Sequence, residues 1–321
     1  MMDVAAPKVR PRIQVHRRVN LHAAALRYLA EIVRLGSIRR AATRLNVASS
    51  AINRQVLRLE RELGAPVFDR LPTGMRLTPA GELLLQHVHG TLRDFDQMLA
   101  EVDALRGILS GHVRIAAVDS LLVGLVPRAL EDVARQFPVV TYAVTAAAPD
   151  AVLNAVASGE CEIGLTFVMK TSLPLQLVTS VRTPLGVVMA PDHPLASRKV
   201  LSFADLASQP IAFQTSPLPP GVVEDDEYTA FRSRSAARFT SNSIEFDRSI
   251  LRSGLAVACF TWLGFQRELA AADLVWVPLA SSALSALEIG LFIPLRRTLT
   301  PAASLVVRTL TRHLAQIEGP P

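Results

Sequence analysis

Two short helical patterns meet at a three-residue turn near the start of this chain, and that juxtaposition constrains its fold more than any other feature. Ser37 is a good N-cap for a helix over Ile38–Leu45, whose Ala41, Ala42 and Leu45 suit close packing. Asn46-Val47-Ala48 reads as the turn. Ser49 or Ser50 is expected to cap the next helix, which runs to Leu63 with Ile52, Val56, Leu59 and Leu63 on one face. The opposite face carries Ser50, Asn53, Arg54, Leu57, Arg58 and Arg61, and Gly64 ends it. An earlier helix over 22–35, with Leu26, Leu29 and Ile32 or Val33 on one face and Gly36 as its stop, completes a three-helix unit. Two helices joined by a tight turn, the second basic on its outer face, form the pattern that lays a helix in the DNA major groove. A helix N-terminus offers backbone N–H groups to phosphate, and Asn and Arg side chains bond base edges.

The charge divides the same way. The 321 residues carry a net +6. Residues 1–79 hold 15 basic and 5 acidic side chains, roughly +10, whereas 80–111 carry about −3 and the remainder about −1. A basic first quarter on a near-neutral body points to a polyanionic partner. Residues 1–19 read as a disordered basic arm with Lys8, Arg10, Arg12, Arg17 and Arg18, either touching phosphates or solvated. The two cysteines, Cys161 and Cys259, sit in apolar runs and read as buried structural thiols. Neither a secretory signal nor a membrane-length apolar run is visible, so a cytoplasmic protein without membrane contact is expected. The seven histidines lack metal-ligand spacing, and there is no nucleophile elbow; an enzyme, a metal and a cofactor are not expected. A glycine-rich phosphate fingerprint is also missing. The acidic run Glu224–Glu227 reads as a solvated loop.

Val67–Arg70 and Met75–Leu77 around Pro72-Thr73-Gly74 read as a hairpin, a wing whose Arg70 and Arg76 either reach DNA or face solvent. Thr78-Pro79 opens a helix to about Leu105 with Leu84, Val88, Leu92, Phe95, Leu99 and Val102 spaced by threes and fours. Such a stripe is expected to pair with a second copy of the chain, with packing on its own domain as the alternative. Gly107 and Gly111 frame a hinge. Beyond it, strands and helices alternate: strands near 113–118, 139–145, 162–167, 185–189, 211–213, 255–260, 274–278 and 287–294, and helices near 122–136, 151–158, 244–252, 264–270 and 301–317. This predicts an α/β region with mostly parallel sheets.

The ordered motifs over residues 36–81 resemble the LysR-type transcriptional regulators. They are Gly36-Ser37-Ile38-Arg39-Arg40-Ala41-Ala42, Leu45 through Gln55, Leu59-Glu60-Arg61-Glu62-Leu63-Gly64, Val67-Phe68, Arg70, and Leu77-Thr78-Pro79-Ala80-Gly81. The rest of the chain fits that family's layout from about Asn20 onward, more loosely. The resemblance implies a winged helix-turn-helix over 20–78, a dimerising linker helix and hinge over 79–110, and a two-lobed effector domain over 111–321 like the periplasmic solute-binding proteins. By resemblance the first lobe takes 113–181 and 286–321, and the second 182–285. The partners implied are a double-stranded DNA operator, a small-molecule effector and the chain itself, as homodimer or homotetramer. Ser49, Ser50, Asn53, Arg54 and Gln55 are carried over as DNA-contacting positions. Ser37, Arg39, Arg40, Arg58, Arg70 and Arg76 complete the candidate set. The chain departs from the family where Ala48-Ser49-Ser50 replaces a common Ser-Gln-Pro or Ser-Gln-Ser, and where Asn53 and Leu57 replace a common Ser and a basic or polar residue; the operator is therefore not legible. A solute-binding protein without DNA reading is the alternative, and it leaves residues 20–80 unexplained.

Two hinged lobes leave a cleft beyond the strand ends. Ser120, Thr166, Phe167, Gln214, Thr215, Ser216, Asn242 and Ser243 fall there and are the candidate effector contacts. Hydroxyls and amides beside backbone N–H groups suit a carboxylate or other anion, although each also reads as an ordinary helix cap.

Overall fold

A computed structural model describes residues 24–71, 74–215, 222, 225–317 and 319, with the side chains of Arg70 and Ala104 left aside. The basic arm over 1–19, residues 22–23 of the first expected helix, Pro72, Thr73, Ser216 and Glu224 lie outside the described residues. The chain separates into two units, 1–95 and 96–321.

In the first unit α1 (Ala24–Leu35), α2 (Ile38–Leu45) and α3 (Ser49–Leu63) bury Leu29, Ile32, Ala41, Ala42, Ile52 and Val56 against one another. Alanine at 41 and 42 lets the α2 backbone approach its neighbours. Ser37 has extended backbone and accepts the Arg40 N–H at 3.5 Å. Asn46 closes α2 in the left-handed region at φ 55°, which asparagine tolerates. A hairpin of β1 (Phe68–Leu71) and β2 (Gly74–Leu77) follows, with Phe68 opposite Leu77.

Three local expectations need correction. The N-cap of α3 is Ala48, not a serine; Ser49 and Ser50 are its first helical residues, and no side chain caps it. Leu63 is 48% exposed, because the inward stripe stops one turn before Gly64. The stripe of α4 (Pro79–Ala104) is divided. Its first part packs on its own unit: Val88 is fully buried there, with Leu84 and Leu92 against the same cluster. Farther along, Val102 and Leu105 are 38% and 89% exposed.

The second unit carries a five-stranded sheet in the order β4-β3-β5-β12-β6. Its strands are β3 (Gly111–Ala117), β4 (Val140–Ala146), β5 (Ile163–Phe167), β6 (Leu175–Arg182) and β12 (Glu288–Pro294). Four helices accompany it: the single turn α5 (Asp119–Leu122), then α6 (Leu125–Gln136), α7 (Pro149–Ser158) and α13 (Pro301–Ala315). A second layer holds β7 (Leu185–Met189) between β10 (Ala258–Thr261) and β11 (Val275–Pro278), and a pair β8 (Ile211–Gln214) and β9 (Ala237–Ser241). Around it lie α8 (Phe203–Leu206), α9 (Asp226–Arg234), α10 (Ile244–Arg252), a 3-10 turn (Trp262–Phe265), α11 (Gln266–Ala270) and α12 (Ser282–Ser285).

The expectation of mostly parallel sheets is overturned. β3 runs parallel to β4 and β5, and β8 to β9, but β12 is antiparallel to both β5 and β6, and β7 to both β10 and β11. The reason is topological. β6 leaves the first layer for the second and β12 returns, so the two crossing segments run in opposite directions; the Thr183 N–H bonds the Leu287 carbonyl at 2.7 Å where they pass. The acidic run is not a free loop either: Asp225 caps α9 by accepting the Tyr228 N–H at 2.8 Å and the Ser281 hydroxyl at 2.7 Å.

Candidate functional site

Two regions carry the candidate residues, one in each unit. In the first, α3 presents Ser49, Ser50, Arg54, Leu57, Arg58 and Arg61 to solvent, with Asn53 and Gln55 half-buried. Because no side chain caps α3, its first turn suits a phosphate oxygen. The exposed arginines differ. Arg58 donates to Glu62 at 2.7 Å, which raises its pKa, and Arg61 donates to the Leu57 carbonyl at 3.3 Å. Arg54 forms no ion pair among the described residues. Arg39 and Arg40 are exposed on α2. On the hairpin, Arg76 pairs across the strands with Asp69 at 3.2 Å. Only the backbone of Arg70 is described.

Glu60, which drew no functional expectation, fixes the hairpin to α3. One of its carboxylate oxygens accepts the N–H groups of Val67 at 2.8 Å and Phe68 at 3.2 Å. The second strand docks on the turn between α1 and α2, where the Met75 N–H reaches the Gly36 carbonyl at 3.3 Å. Gly74, at φ 134°, permits this approach: a Cβ there would lie 2.8 Å from that carbonyl oxygen.

In the second unit a cavity of about 280 Å³ lies beyond the carboxyl ends of β3, β4 and β5. From the first lobe Val118, Asp119, Ser120, Pro149 and Phe167 reach its wall, with the backbone stretch Ala146–Ala148. The second lobe adds Leu185, Gln214, Val222 and Asn242, and then Cys259, Phe260 and Thr261 from β10. Of the sequence candidates, Ser120, Phe167, Gln214 and Asn242 therefore share one cavity. Thr166 does not line it; it is fully buried and its hydroxyl donates to the Pro149 carbonyl at 3.4 Å. Thr215 is exposed off the wall, and Ser243 is the N-cap of α10, accepting the Phe246 N–H at 3.4 Å.

Asp119 joins the lobes. Its carboxylate accepts the N–H of Ile244, the first residue of α10, at 3.0 Å. One turn on, Asp247 is 1% exposed and neither carboxylate oxygen has a hydrogen-bond partner among the described residues. Burial, and then the charge of Asp119, push its pKa up to about 6. A carboxyl raised in the folded state stabilises the fold at low pH and loses that contribution as pH rises through the folded value. Asp247→Asn is therefore expected to be more stable than the native protein above about pH 6, by roughly 1–3 kcal/mol, with the difference shrinking toward pH 4. Denaturant melts across pH 4–8 check this; a pH-independent difference contradicts it.

The cavity's thiol is not reactive by its surroundings. Burial pushes Cys259 up to about 12, and burial with neighbouring Glu160 and Glu162 does the same for Cys161. Both stay protonated at neutral pH; Cys161 is buried as expected whereas Cys259 is half-buried on the cavity wall, and both are expected to react with a disulfide reagent more slowly than an exposed thiol, Cys161 by roughly a thousandfold until the protein unfolds. Rapid native labelling of Cys161 contradicts that.

Residues 23–82 match the family described as bacterial regulatory helix-turn-helix protein, lysR family, and residues 106–315 match the LysR substrate binding domain. An uncharacterised HTH-type transcriptional regulator, YybE, of Bacillus subtilis is 26% identical over 57% of this chain, which spans 63% of that relative's length. The HTH-type transcriptional regulator CysB of Haemophilus influenzae is 28% identical over 72% of this chain and 73% of its own. The solved structure of full-length CbnR with its target DNA covers 90% of this chain and 99% of its own, with a TM-score of 0.56 at 18% identity, a likeness of fold. No helix among the described residues is long and apolar enough to cross a membrane.

Proposed function

The chain belongs to the LysR family of bacterial transcriptional regulators, with a DNA-binding helix-turn-helix and an effector-binding domain, and on that premise we propose how it reads DNA and senses its signal. Two or four copies bind a partly palindromic operator in the cytoplasm, each inserting α3 into a major groove. The observation that carries this is the outer face of α3, a helix start with no side-chain cap followed by exposed Arg54 and Arg58. Ser49, Ser50, Asn53, Arg54 and Gln55 lie toward the bases. Ser37, Arg39, Arg40, Arg58 and Arg76 of the wing are assigned to the phosphate backbone, and Arg70 joins them on its place in the sequence alone. CbnR, of like fold, is solved on its target DNA, which supports this placement. Val102 and Leu105 on the far end of α4 and just beyond it support pairing with a second copy. A small molecule in the cavity, touching Ser120, Phe167, Gln214 and Asn242, shifts the balance between lobe arrangements and so the placement of the DNA-reading units. It regulates only by binding one arrangement better than the other.

DNase footprinting on the DNA upstream of the gene tests the reading. Two protected half-sites spaced by whole helical turns, about 10 base pairs or a multiple, are the expected result. Protection no stronger than on random DNA contradicts it.

A further inference from the structure

We propose that the cavity between the lobes takes an uncharged, mainly apolar molecule of on the order of ten non-hydrogen atoms, and discriminates against carboxylates and phosphates. This deepens the effector reading above and rests on it.

Among the described residues that line the cavity there is no lysine, arginine or histidine, and Asp119 is the one carboxylate. Two guanidiniums stand nearby without lining the cavity. Arg232 donates Nη2 to the Gln214 carbonyl at 3.0 Å and lies over the Phe213 ring, while its buried Nη1 has no hydrogen-bond partner among the described residues. Arg248 pairs with Glu245 at 3.1 Å and Glu268 at 3.5 Å.

The helix starts around the cavity, which at sequence level suit an anion, already carry the protein's own carboxylates. α5 opens with Asp119. The first N–H of α10 is held by Asp119. α7 opens with Pro149, which has no N–H, followed by Asp150 in the first turn. An entering carboxylate would lose its hydration, meet no cation among the described lining residues, and face Asp119 with the unpartnered Asp247 nearby. Against this, Phe167, Leu185 and Phe260 offer apolar area, and Ser120, Gln214 and Asn242 offer uncharged donors and acceptors. That balance matches a neutral ligand oriented by a few hydrogen bonds.

The test is a ligand-observed NMR screen of the full-length protein with matched scaffolds, each offered as alcohol, amine and carboxylate (for example 3-phenylpropanol, 3-phenylpropylamine and 3-phenylpropanoate). It is repeated on Ala147→Trp, which fills the cavity, and on Gln214→Arg, which supplies the missing cation. Alcohols are expected to bind at least 30-fold more tightly than their carboxylates, to be lost in Ala147→Trp, and to give way to carboxylates in Gln214→Arg. Carboxylates binding as well as alcohols, amines binding more than tenfold better, or no ligand of any class each overturn the proposal. If carboxylates bind and are lost in Ala147→Trp, only the charge assignment fails. If ligands bind unchanged in both variants, the cavity is not the effector site and the underlying reading fails with it.

Discussion

Gly81→Ala is expected to unfold the N-terminal unit, while Gly90→Ala, nine residues along the same helix, is expected to leave it intact. A Cβ on Gly81 would lie 2.2 Å from the Val67 carbonyl oxygen and 2.8 Å from Leu77 Cδ2. The first obstacle is backbone, so no rotamer change relieves it. The Val67 carbonyl also accepts the Thr78 N–H at 3.1 Å, and Thr78 holds the helix start, accepting the Gly81 N–H at 3.1 Å and donating to Pro66 at 2.6 Å. Hairpin exit and α4 entry are thus built around one missing methyl group, and inserting it is expected to cost about 3 kcal/mol or more. At Gly90 the nearest atom to an added Cβ is a flexible Arg93 nitrogen at 3.7 Å, so the alanine's helix preference is expected to stabilise by about 0.5–1 kcal/mol. Paired thermal melts followed by circular dichroism separate the two. Equal melting temperatures contradict the packing described for this turn.

Arg54→Ala is expected to weaken operator binding by roughly 5- to 150-fold, the range for one bidentate base contact, without changing the melting temperature. The side chain is exposed and forms no ion pair among the described residues, so its loss leaves no group unpartnered in the fold. Arg58→Ala is expected to do less, because its guanidinium already sits on Glu62. Should Arg58→Ala cost more than Arg54→Ala, α3 meets DNA along a different face.

The N-terminal unit was legible because its signals are local. The inward spacing of Ile52 and Val56, the Ser37 cap and the glycines after α1 and α3 each act within a turn or two of where they stand. The sequence points to a serine as the α3 cap because serine outranks alanine in cap preference, yet here Ser49 and Ser50 start the helix itself. The seam of α4 could not show how far its own domain would cover it; Val88 looks the same in a self-pairing helix and in a domain core. Strand direction was the other blind spot. The run Ile289–Ile293 is as apolar as a central parallel strand, and only its pairing with β6 and β5 reveals the reversed sense. The edge strand β6 leaves no clear signal in the sequence because exposed and half-buried residues mix along it without clean alternation.

Ser120, Phe167, Gln214 and Asn242, a minority of the described cavity wall, are legible in the sequence because they stand at strand ends and helix starts. Alternation explains one misplacement: Thr166 and Phe167 are adjacent on β5 and point to opposite faces, so only one can reach the cavity. Ala146, Ala147, Ala148 and Thr261 carried no chemical signal, and the apposition of Asp119 and Ile244 joins residues 125 positions apart.

The central claim, that α3 reads a DNA sequence, is tested most directly by fluorescence anisotropy of the full-length protein on its own upstream DNA and on a scrambled duplex, each across a salt series. Tighter binding to the upstream DNA, falling steeply as salt rises and reduced further in Arg54→Ala, is the expected result. Equal affinity for both duplexes, with Arg54→Ala indistinguishable from the native protein, contradicts it.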